Sequence, residues 1–297
     1  MEPTELIVNY RRFLKRSNDS AHTVKNYMVS LRQFVLWLDI SIEQVTPRTI
    51  CAYIDSLMAR GLKPKTINCH LERIRGFYYY LIEEGSFERP NPVKYSYHLK
   101  MPKSLPRNLQ EEQIHLLLGS IKNPRDRAIF LLMLRCGLRV SEVATLSLAD
   151  IDPLRQKLTI HDGKWQKDRI VYISDDALKA LGDYLKTRPD TPTENLFLVQ
   201  KGTYRGLALS IRGIQKRMES YAKKTGLKIS CHHLRHTMAT QMLNADAELV
   251  SIQALLGHSW ITTTQRYCRV SNKKVERDYH RAMEKVIQRT TYSDLPT

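Results

Sequence analysis

The stretch from Cys231 to Cys268 reads CHHLRHTMATQMLNADAELVSIQALLGHSWITTTQRYC, and the rest of the chain is organised around it. His232 and Arg235 stand three residues apart at its start, in a segment whose apolar residues recur at helical spacing. The two side chains are therefore expected on one side of a helix, where they can share a ligand. A guanidinium makes paired hydrogen bonds to a phosphate, and an imidazole exchanges a proton near neutral pH. This pair favours phosphate chemistry.

Two further reactive groups follow in the same stretch. A short helix from about Glu248 to Leu255 is predicted to end at Gly257, where a left-handed C-cap is expected. His258 is therefore expected on a turn. Tyr267 stands nine residues later, and its phenol is a possible covalent nucleophile once its proton has been removed.

A zinc site and a purely structural role are the alternative interpretations of this stretch. Cys231, His232, His233 and His236 are residue types that bind zinc. The zinc hydrolase pattern His-Glu-x-x-His is absent, however, and no carboxylate lies between Cys231 and Asn244. For the stretch taken alone, phosphate chemistry and plain structure remain open, and zinc is disfavoured.

Composition limits the class of protein. The chain has 297 residues, 42% of them hydrophobic and 26% charged, which is enough for one or two globular domains. Its 47 Lys and Arg against 30 Asp and Glu leave a net charge of +17, which favours nucleic acid as a partner, with anionic membrane second. The five scattered cysteines suit neither a disulfide framework nor a zinc ribbon. Without a signal-type N-terminus or a long apolar run, a soluble, cytoplasmic protein is expected.

The first 85 residues are predicted to form about four helices. Ser17 to Ser20 supplies a turn and an N-cap, and Thr46 and Thr66 are predicted to cap the third and fourth helices. Basic residues near the fourth helix are candidates for phosphate binding, with an ordinary solvated face as the alternative. These candidates are Lys63, Lys65, Arg73 and Arg75.

The second domain is predicted to begin at about Asn108, after a proline-rich stretch that is interpreted as an extended linker. Gly137 is expected to end one of its helices and Ser141 to help start the next, so Arg139 falls on the connecting turn. Glu142 lies three residues on, close enough to orient Arg139. The alternative for Arg139 is a surface salt bridge.

Two β-branched runs, Lys157–His161 and Arg169–Ile173, flank a polar turn and predict a β-hairpin. Lys164 in that turn is a candidate for carrying an ammonium group into a site formed elsewhere, and an ordinary solvated lysine is the alternative. Trp165 and Lys167 in the same turn are candidates for contact with DNA.

These residues together resemble the tyrosine recombinases, the family that includes the Xer proteins and phage integrases. Six reactive positions in the expected order are far more specific than any one of them, and the likeness covers nearly the whole chain. Trp165 and Trp260 depart from the family pattern without removing a reactive group, and Trp260 is expected in the core. The motifs that carry the resemblance are Gly-Leu-Arg-Val-Ser-Glu at 137–142, Gly-Lys-x-x-Lys-x-Arg at 163–169, His-x-x-Arg-His at 232–236, Leu-Gly-His at 256–258, and Tyr267.

The resemblance implies a mainly α fold with a small β-sheet or hairpin. A helical, SAM-like core-binding domain is expected over residues 1–88, a linker over 89–107, and a tyrosine recombinase catalytic domain over 108–297 that ends in an exchange helix. The chain begins almost directly at the core-binding domain, so the simple two-domain type, without the arm-binding domain of lambda-type integrases, is expected.

The resemblance also implies the chemistry, which is site-specific DNA strand exchange with no metal, nucleotide or other cofactor. Tyr267 would attack the scissile phosphate and form a 3′-phosphotyrosyl link. Arg139 and Arg235 would hold the non-bridging oxygens and stabilise the charge that grows on them. The other implied roles are a hydrogen bond to the phosphate from His258, protonation of the leaving 5′-oxygen by Lys164, acceptance of the tyrosine proton by His232, and support from Glu142.

The implied partner is double-stranded DNA at specific sites. A dimer would bind each site and a homo-tetramer would form on two synapsed sites, with a second recombinase or an accessory protein as further candidate partners. The task would be the resolution of dimers or cointegrates, or the integration and excision of a mobile element. The alternatives are a catalytically silent DNA-binding protein, a type IB topoisomerase-like enzyme and, more distantly, a metal-dependent nuclease.

Overall fold

The computed structural model describes residues 3–101, 108–161, 168–258, 260–265 and 272–291. The chain divides into two compact units, Met1–Lys103 and Ser104–Thr297. Each unit has its own hydrophobic core. Within the described ranges, no helix is long and apolar enough to span a bilayer.

The first unit is a bundle of helices with a strongly aromatic core. Leu31 and Phe34 of its second helix are fully buried, as the helical spacing of apolar residues predicted. Phe34 packs edge to face on Tyr53, with ring centroids 4.9 Å apart. The helices of the described part of this unit are α1 (Pro3–Arg16), α2 (Ala21–Trp37), α3 (Pro47–Ala59) and α4 (Pro64–Glu83).

Local capping decides where these helices begin. The Ser20 hydroxyl accepts a hydrogen bond from the Thr23 amide at 3.1 Å, and the Thr46 hydroxyl accepts one from the Thr49 amide at 3.3 Å, so both predicted caps are confirmed. The predicted cap at Thr66 is wrong. Helix α4 begins earlier, at Pro64, because proline has no amide hydrogen to leave unsatisfied at the first helical position.

The residues that follow α4 pack on the first unit. Val93 is buried in its core, and the Asn68 side chain both donates to the Leu99 carbonyl and accepts from the Leu99 amide, each at 2.9 Å. The predicted linker 89–107 therefore contains a stretch, up to Leu99, that is tied to α4. The boundaries of the functional domains remain predictions.

The second unit is built around one buried helix, α6, in which every residue from Ala128 to Leu134 is buried. Helices α8 and α10 pack against it. The helices of the described part of this unit are α5 (Glu111–Ser120), α6 (Pro124–Arg135), α7 (Val140–Thr145), α8 (Asp175–Leu185), α9 (Ile211–Thr225), α10 (Cys231–Asn244), α11 (Leu249–Leu256), α12 (Ile261–Gln265) and α13 (Asn272–Thr291).

Three antiparallel strands, β1 (Ile151–Asp152), β2 (Lys157–Ile160) and β3 (Arg169–Tyr172), form a small sheet in the order β1-β2-β3. The pairing of β2 with β3 confirms the predicted hairpin. Leu158 lies opposite Val171 and Ile160 lies opposite Arg169. Because directly paired residues share a face of the sheet, Arg169 lies on the buried face beside Val171.

Candidate active site

The turn between α6 and α7 is pressed against two other helices. Gly137 has φ +67°, and a Cβ there would lie 3.0 Å from Leu256 and 3.1 Å from Met238. A left-handed, close-packed position of this kind favours glycine. Arg139 follows as the N-cap residue of α7, so the expectation that Ser141 starts this helix is corrected by two residues.

Glu142 holds Arg139 in two ways. One carboxylate oxygen accepts from the Arg139 guanidinium at 2.6 Å, and the other accepts from the Arg139 backbone amide at 2.7 Å. The two residues are thus in contact, as their spacing predicted, and the supporting role of Glu142 remains a prediction. The Arg139 side chain remains 27% exposed, whereas that of Glu142 is 7% exposed.

A third residue completes this arrangement, and the sequence interpretation did not select it. Arg169, at the start of β3, donates to both Glu142 oxygens, at 2.9 and 2.8 Å. Burial alone would raise the pKa of Glu142, but the hydrogen bonds and charges of Arg169 and Arg139 lower it to about 2. Glu142 is therefore ionised at neutral pH. The sequence indicated the direction of the Arg169 side chain, because it alternates with the buried Val171 and so shares its side of the strand, but it did not indicate the contact with Glu142.

Arg235 lies inside the unit rather than on its surface. Its side chain extends from α10, is only 2% exposed, and donates to the Gly137 and Leu256 carbonyls. Leu234 and Met238, on the same helix, pack into two hydrophobic clusters of the second unit. Their burial fixes the rotation of α10 about its axis and directs Arg235 inward.

The carboxyl end of α11 collects all three guanidinium groups. Leu255, Leu256 and Gly257 are consecutive, and their carbonyls accept from Arg169, Arg235 and Arg139 respectively. The last carbonyls of a helix lack intrahelical partners and carry partial negative charge, so they attract cations. We call Arg139, Glu142, Arg169 and Arg235 the arginine cluster.

His258 follows Gly257, which has φ +59° and ends α11 as predicted. The His258 Nδ1 atom lies 2.9 Å from the hydroxyl of the fully buried Thr264 on α12. Burial lowers the pKa of His258 most, and the positive charges of Arg235, Arg139, His236 and Arg169 lower it further, to about 4. The imidazole is therefore neutral at pH 7.

The three histidines of α10 make different contacts. His232 is exposed, and its ring lies 4.3 Å from that of His236, in an edge-to-face arrangement. The His233 Nδ1 atom accepts from the Ser230 amide at 2.8 Å at the start of the helix. Across the described part of the chain, no group of three or more His, Cys, Asp or Glu could hold a metal ion.

The four candidate DNA contacts in the first unit differ in exposure. Lys63 and Lys65 are exposed beside the start of α4. Arg73 donates to the Ser30 hydroxyl at 2.8 Å. Arg75 stacks over the Tyr95 ring at 3.4 Å from its centroid, and its side chain is only 11% exposed, so it helps to hold the segment after α4. Contact of these four residues with DNA remains a prediction.

Several predicted residues lie outside the described ranges. Lys164, Trp165 and Lys167 fall in the gap between β2 and β3, and Tyr267 falls between α12 and α13. Their roles remain predictions. Trp260 is described, and it is 74% exposed, so its expected place in the core was wrong.

Comparison with known proteins identifies the family. The model of the phage integrase family matches residues 107–274, and that of the phage integrase N-terminal SAM-like domain matches residues 7–85. Tyrosine recombinase XerA of Thermococcus kodakarensis is 30% identical to this chain over 283 residues, which cover 95% of this chain and 96% of that protein. Tyrosine recombinase XerC of Shewanella amazonensis is 34% identical over 257 residues, covering 84% and 85%. The chain therefore belongs to the phage integrase family of tyrosine recombinases.

A solved structure supports the same fold. The Tn1549 transposon integrase, in complex with a circular intermediate DNA, aligns with a TM-score of 0.75 over 90% of this chain and 95% of that one, at 20% identity. The predicted fold class is thus confirmed: a mostly helical chain with a SAM-like first domain, an integrase catalytic domain and a small antiparallel sheet.

Proposed function

We propose that this protein is a site-specific DNA recombinase that cuts and rejoins DNA through a 3′-phosphotyrosyl link to Tyr267. The arginine cluster is the observation that carries the proposal. Arg139 and Arg235 donate to neighbouring carbonyls at one helix end, so two guanidinium groups are held close together before any ligand arrives. Preorganised cations of this kind stabilise the charge that develops on a phosphate during transfer.

The proposed reaction is a pair of transesterifications. The Tyr267 oxygen attacks the scissile phosphorus, the bond to the 5′-oxygen breaks, and that oxygen leaves as a hydroxyl with a proton from Lys164. His232 accepts the proton of the tyrosine. Attack by a 5′-hydroxyl of the partner strand on the phosphotyrosyl bond then rejoins DNA and releases Tyr267. The bond energy is conserved, so neither a nucleotide nor a metal ion is required.

The remaining groups serve the phosphate. Arg139 and Arg235 would each hold a non-bridging oxygen. With the Thr264 hydroxyl donating to Nδ1 of His258, the ring proton lies on Nε2, and Nε2–H can donate to the same phosphate. Because the pKa of His258 is lowered to about 4, this role requires no change of protonation between pH 6 and 8.

Double-stranded DNA is the proposed partner, as in the complex of the transposon integrase. Residues 1–88 would bind the core site, with Lys63 and Lys65 exposed for phosphate contacts, and residues 108–297 would carry the chemistry. We place the protein in the cytoplasm, where the described cysteines, which are free thiols, would stay reduced. The biological task would be the resolution of DNA dimers or cointegrates, or the movement of a mobile element.

Assembly into a dimer on each site and a tetramer on two sites is proposed with α13 as the exchange helix. Tyr279, Val286 and Ile287 are exposed apolar residues at helical spacing on α13. Such a face is suited to packing into a neighbouring subunit. A second recombinase and an accessory protein are further candidate partners of this assembly.

Trapping on nicked suicide duplexes tests the proposal. Duplexes that tile the DNA flanking the gene are incubated with protein in EDTA, and adducts that survive denaturant are mapped. The wild type and the Tyr204→Phe control, which changes a tyrosine that is 69% exposed, should form the adduct, and Tyr267→Phe should not. An adduct with Tyr267→Phe would overturn the assignment of the nucleophile. Failure of the wild type on every duplex, or cleavage that needs a divalent metal, would overturn the proposed reaction.

A further inference from the structure

We infer that Arg169 is a positioning residue for DNA cleavage, which acts by holding Glu142 and, through it, Arg139. The inference rests on the proposed function and adds a residue to its machinery. Arg169 lies 27 residues from Glu142 along the chain and reaches it only through the fold.

The contacts of Arg169 define one orientation. Its Nη1 and Nη2 atoms donate to the two Glu142 oxygens, and its Nε atom donates to the Leu255 carbonyl at 2.9 Å. The side chain is 9% exposed. Gly257 packs closely against the Arg169 side chain, since a Cβ at Gly257 would lie 3.0 Å from the Arg169 Cδ atom. A planar fork fits this site, and a lysine ammonium on a flexible stem cannot reproduce it.

Each carboxylate oxygen of Glu142 accepts hydrogen bonds from both Arg139 and Arg169. One oxygen accepts from the Arg139 and Arg169 guanidinium groups, and the other accepts from the Arg139 backbone amide and the second Arg169 donor. Arg169 therefore fixes the plane of the carboxylate. Without it, Glu142 could rotate and take more of the Arg139 guanidinium, which would turn that group away from the place it holds at the Gly257 carbonyl.

Hydrogen bonding separates the two roles. All three guanidinium nitrogens of Arg169 donate to Glu142 or to the Leu255 carbonyl, so Arg169 acts through the carboxylate. The Arg139 side chain is 27% exposed and can meet a phosphate directly.

A double-mutant cycle tests the inference. Arg169→Lys, Arg169→Gln, Glu142→Gln and the double variant Glu142→Gln with Arg169→Gln are compared in single-turnover cleavage of the nicked duplex that traps the wild type. DNA affinity is measured by fluorescence anisotropy and folding by the melting temperature. The matched control is Arg212→Lys, since Arg212 makes a two-pronged contact with Glu219 on the exposed surface of α9.

Arg169→Lys is expected to slow cleavage about 10- to 100-fold, because a small displacement of a group that contacts the reacting phosphate has an effect of this order, with DNA affinity unchanged. Because Arg169 acts through Glu142, the double variant should cleave no more slowly than Glu142→Gln alone. Arg212→Lys should cleave at the wild-type rate. If Arg169→Gln does not fold, Arg169→Lys still tests the inference, since it keeps the buried positive charge.

Three results would overturn the inference. They are wild-type cleavage by Arg169→Lys, losses in the double variant that multiply as for independent sites, and a fall in rate that only follows the fall in melting temperature and DNA affinity. A wild type that forms no adduct dependent on Tyr267 would instead refute the proposed function, and the inference would fall with it.

Discussion

Two buried arginine–carboxylate networks in the second unit differ in charge balance. Asp126 of α6, fully buried, accepts from Arg125 with one oxygen and from Arg217 and Tyr221 with the other, and we call these four residues the Asp126 cluster. It contains two positively charged arginines and one negatively charged carboxylate. The arginine cluster sets three arginines against one carboxylate and compensates with the carbonyls at the end of α11.

This difference in charge affects the pKa values of neighbouring side chains in the two clusters. Beside Asp126, burial and then the negative charge of Asp126 raise the pKa of Tyr221. Beside the arginine cluster, burial and then the arginines lower the pKa of His258 to about 4. Burial is the larger cause of both pKa shifts. The nearby charge reinforces each shift, and that charge is negative beside Tyr221 and positive beside His258. The Asp126 cluster suits a structural role, and the excess positive charge of the arginine cluster suits binding of an anion.

The largest expected difference concerns the rate of DNA cleavage. Arg235→Gln removes one preorganised donor and should slow single-turnover cleavage about 10²- to 10³-fold, the usual cost of losing such a donor. Arg125→Gln removes a buried arginine of the Asp126 cluster and should leave the rate per folded molecule unchanged. Equal rate losses in the two variants would show that the clusters do not differ in function.

The free energy of unfolding should depend strongly on the Asp126 cluster. Asp126→Asn leaves the buried Arg125 without its counter-ion and should cost about 3–5 kcal/mol of unfolding free energy, as for other broken buried pairs. Urea denaturation measures this loss. The control is Glu219→Gln, which breaks the exposed pair with Arg212 and should cost about 1 kcal/mol or less. A loss that small for Asp126→Asn would contradict the structural role.

Acid should remove the stability contributed by His258, which lies beside the arginine cluster, before that contributed by Glu142. The folded pKa of His258, about 4, lies below its ordinary value of 6.5, so the unfolded chain binds the proton first as the pH falls. The stability contributed by His258 should therefore be lost between pH 6.5 and 4. That of Glu142, with a folded pKa of about 2 against 4.5, should be lost between pH 4.5 and 2. Urea denaturation across these ranges gives the free energy of unfolding at each pH. Between pH 6.5 and 4, this free energy should fall less steeply for His258→Gln than for the wild type, and an equal slope would contradict this assignment.

Two helix-ending glycines provide the smallest comparison. Gly257 and Gly226 have φ +59° and +69°, so alanine at either position should cost about 1 kcal/mol through backbone strain. A Cβ at Gly257 also meets Arg169 at 3.0 Å, whereas one at Gly226 meets nothing within 4 Å. Gly257→Ala should therefore also slow cleavage, and Gly226→Ala should not. Equal cleavage rates would show that Arg169 tolerates displacement.

Local features of the sequence were enough to predict much of the fold. The caps at Ser20 and Thr46, the β2–β3 hairpin and the end of α11 at Gly257 depend on residues a few positions apart. The contact between Glu142 and Arg139 was predicted for the same reason, since three residues separate them. Thr66 failed as a cap because Pro64, two residues earlier, already suits the first helical position.

The sequence by itself determined the family, the two-part organisation and the order of the reactive residues, because these depend on motifs and short-range spacing. Only the tertiary structure decided that Arg235 is buried, that Arg169 shares Glu142 with Arg139, and that one helix end gathers three guanidinium groups. These contacts join segments up to 118 residues apart. The packing of α10, α11 and β3 brings their side chains together, and no local pattern records that packing.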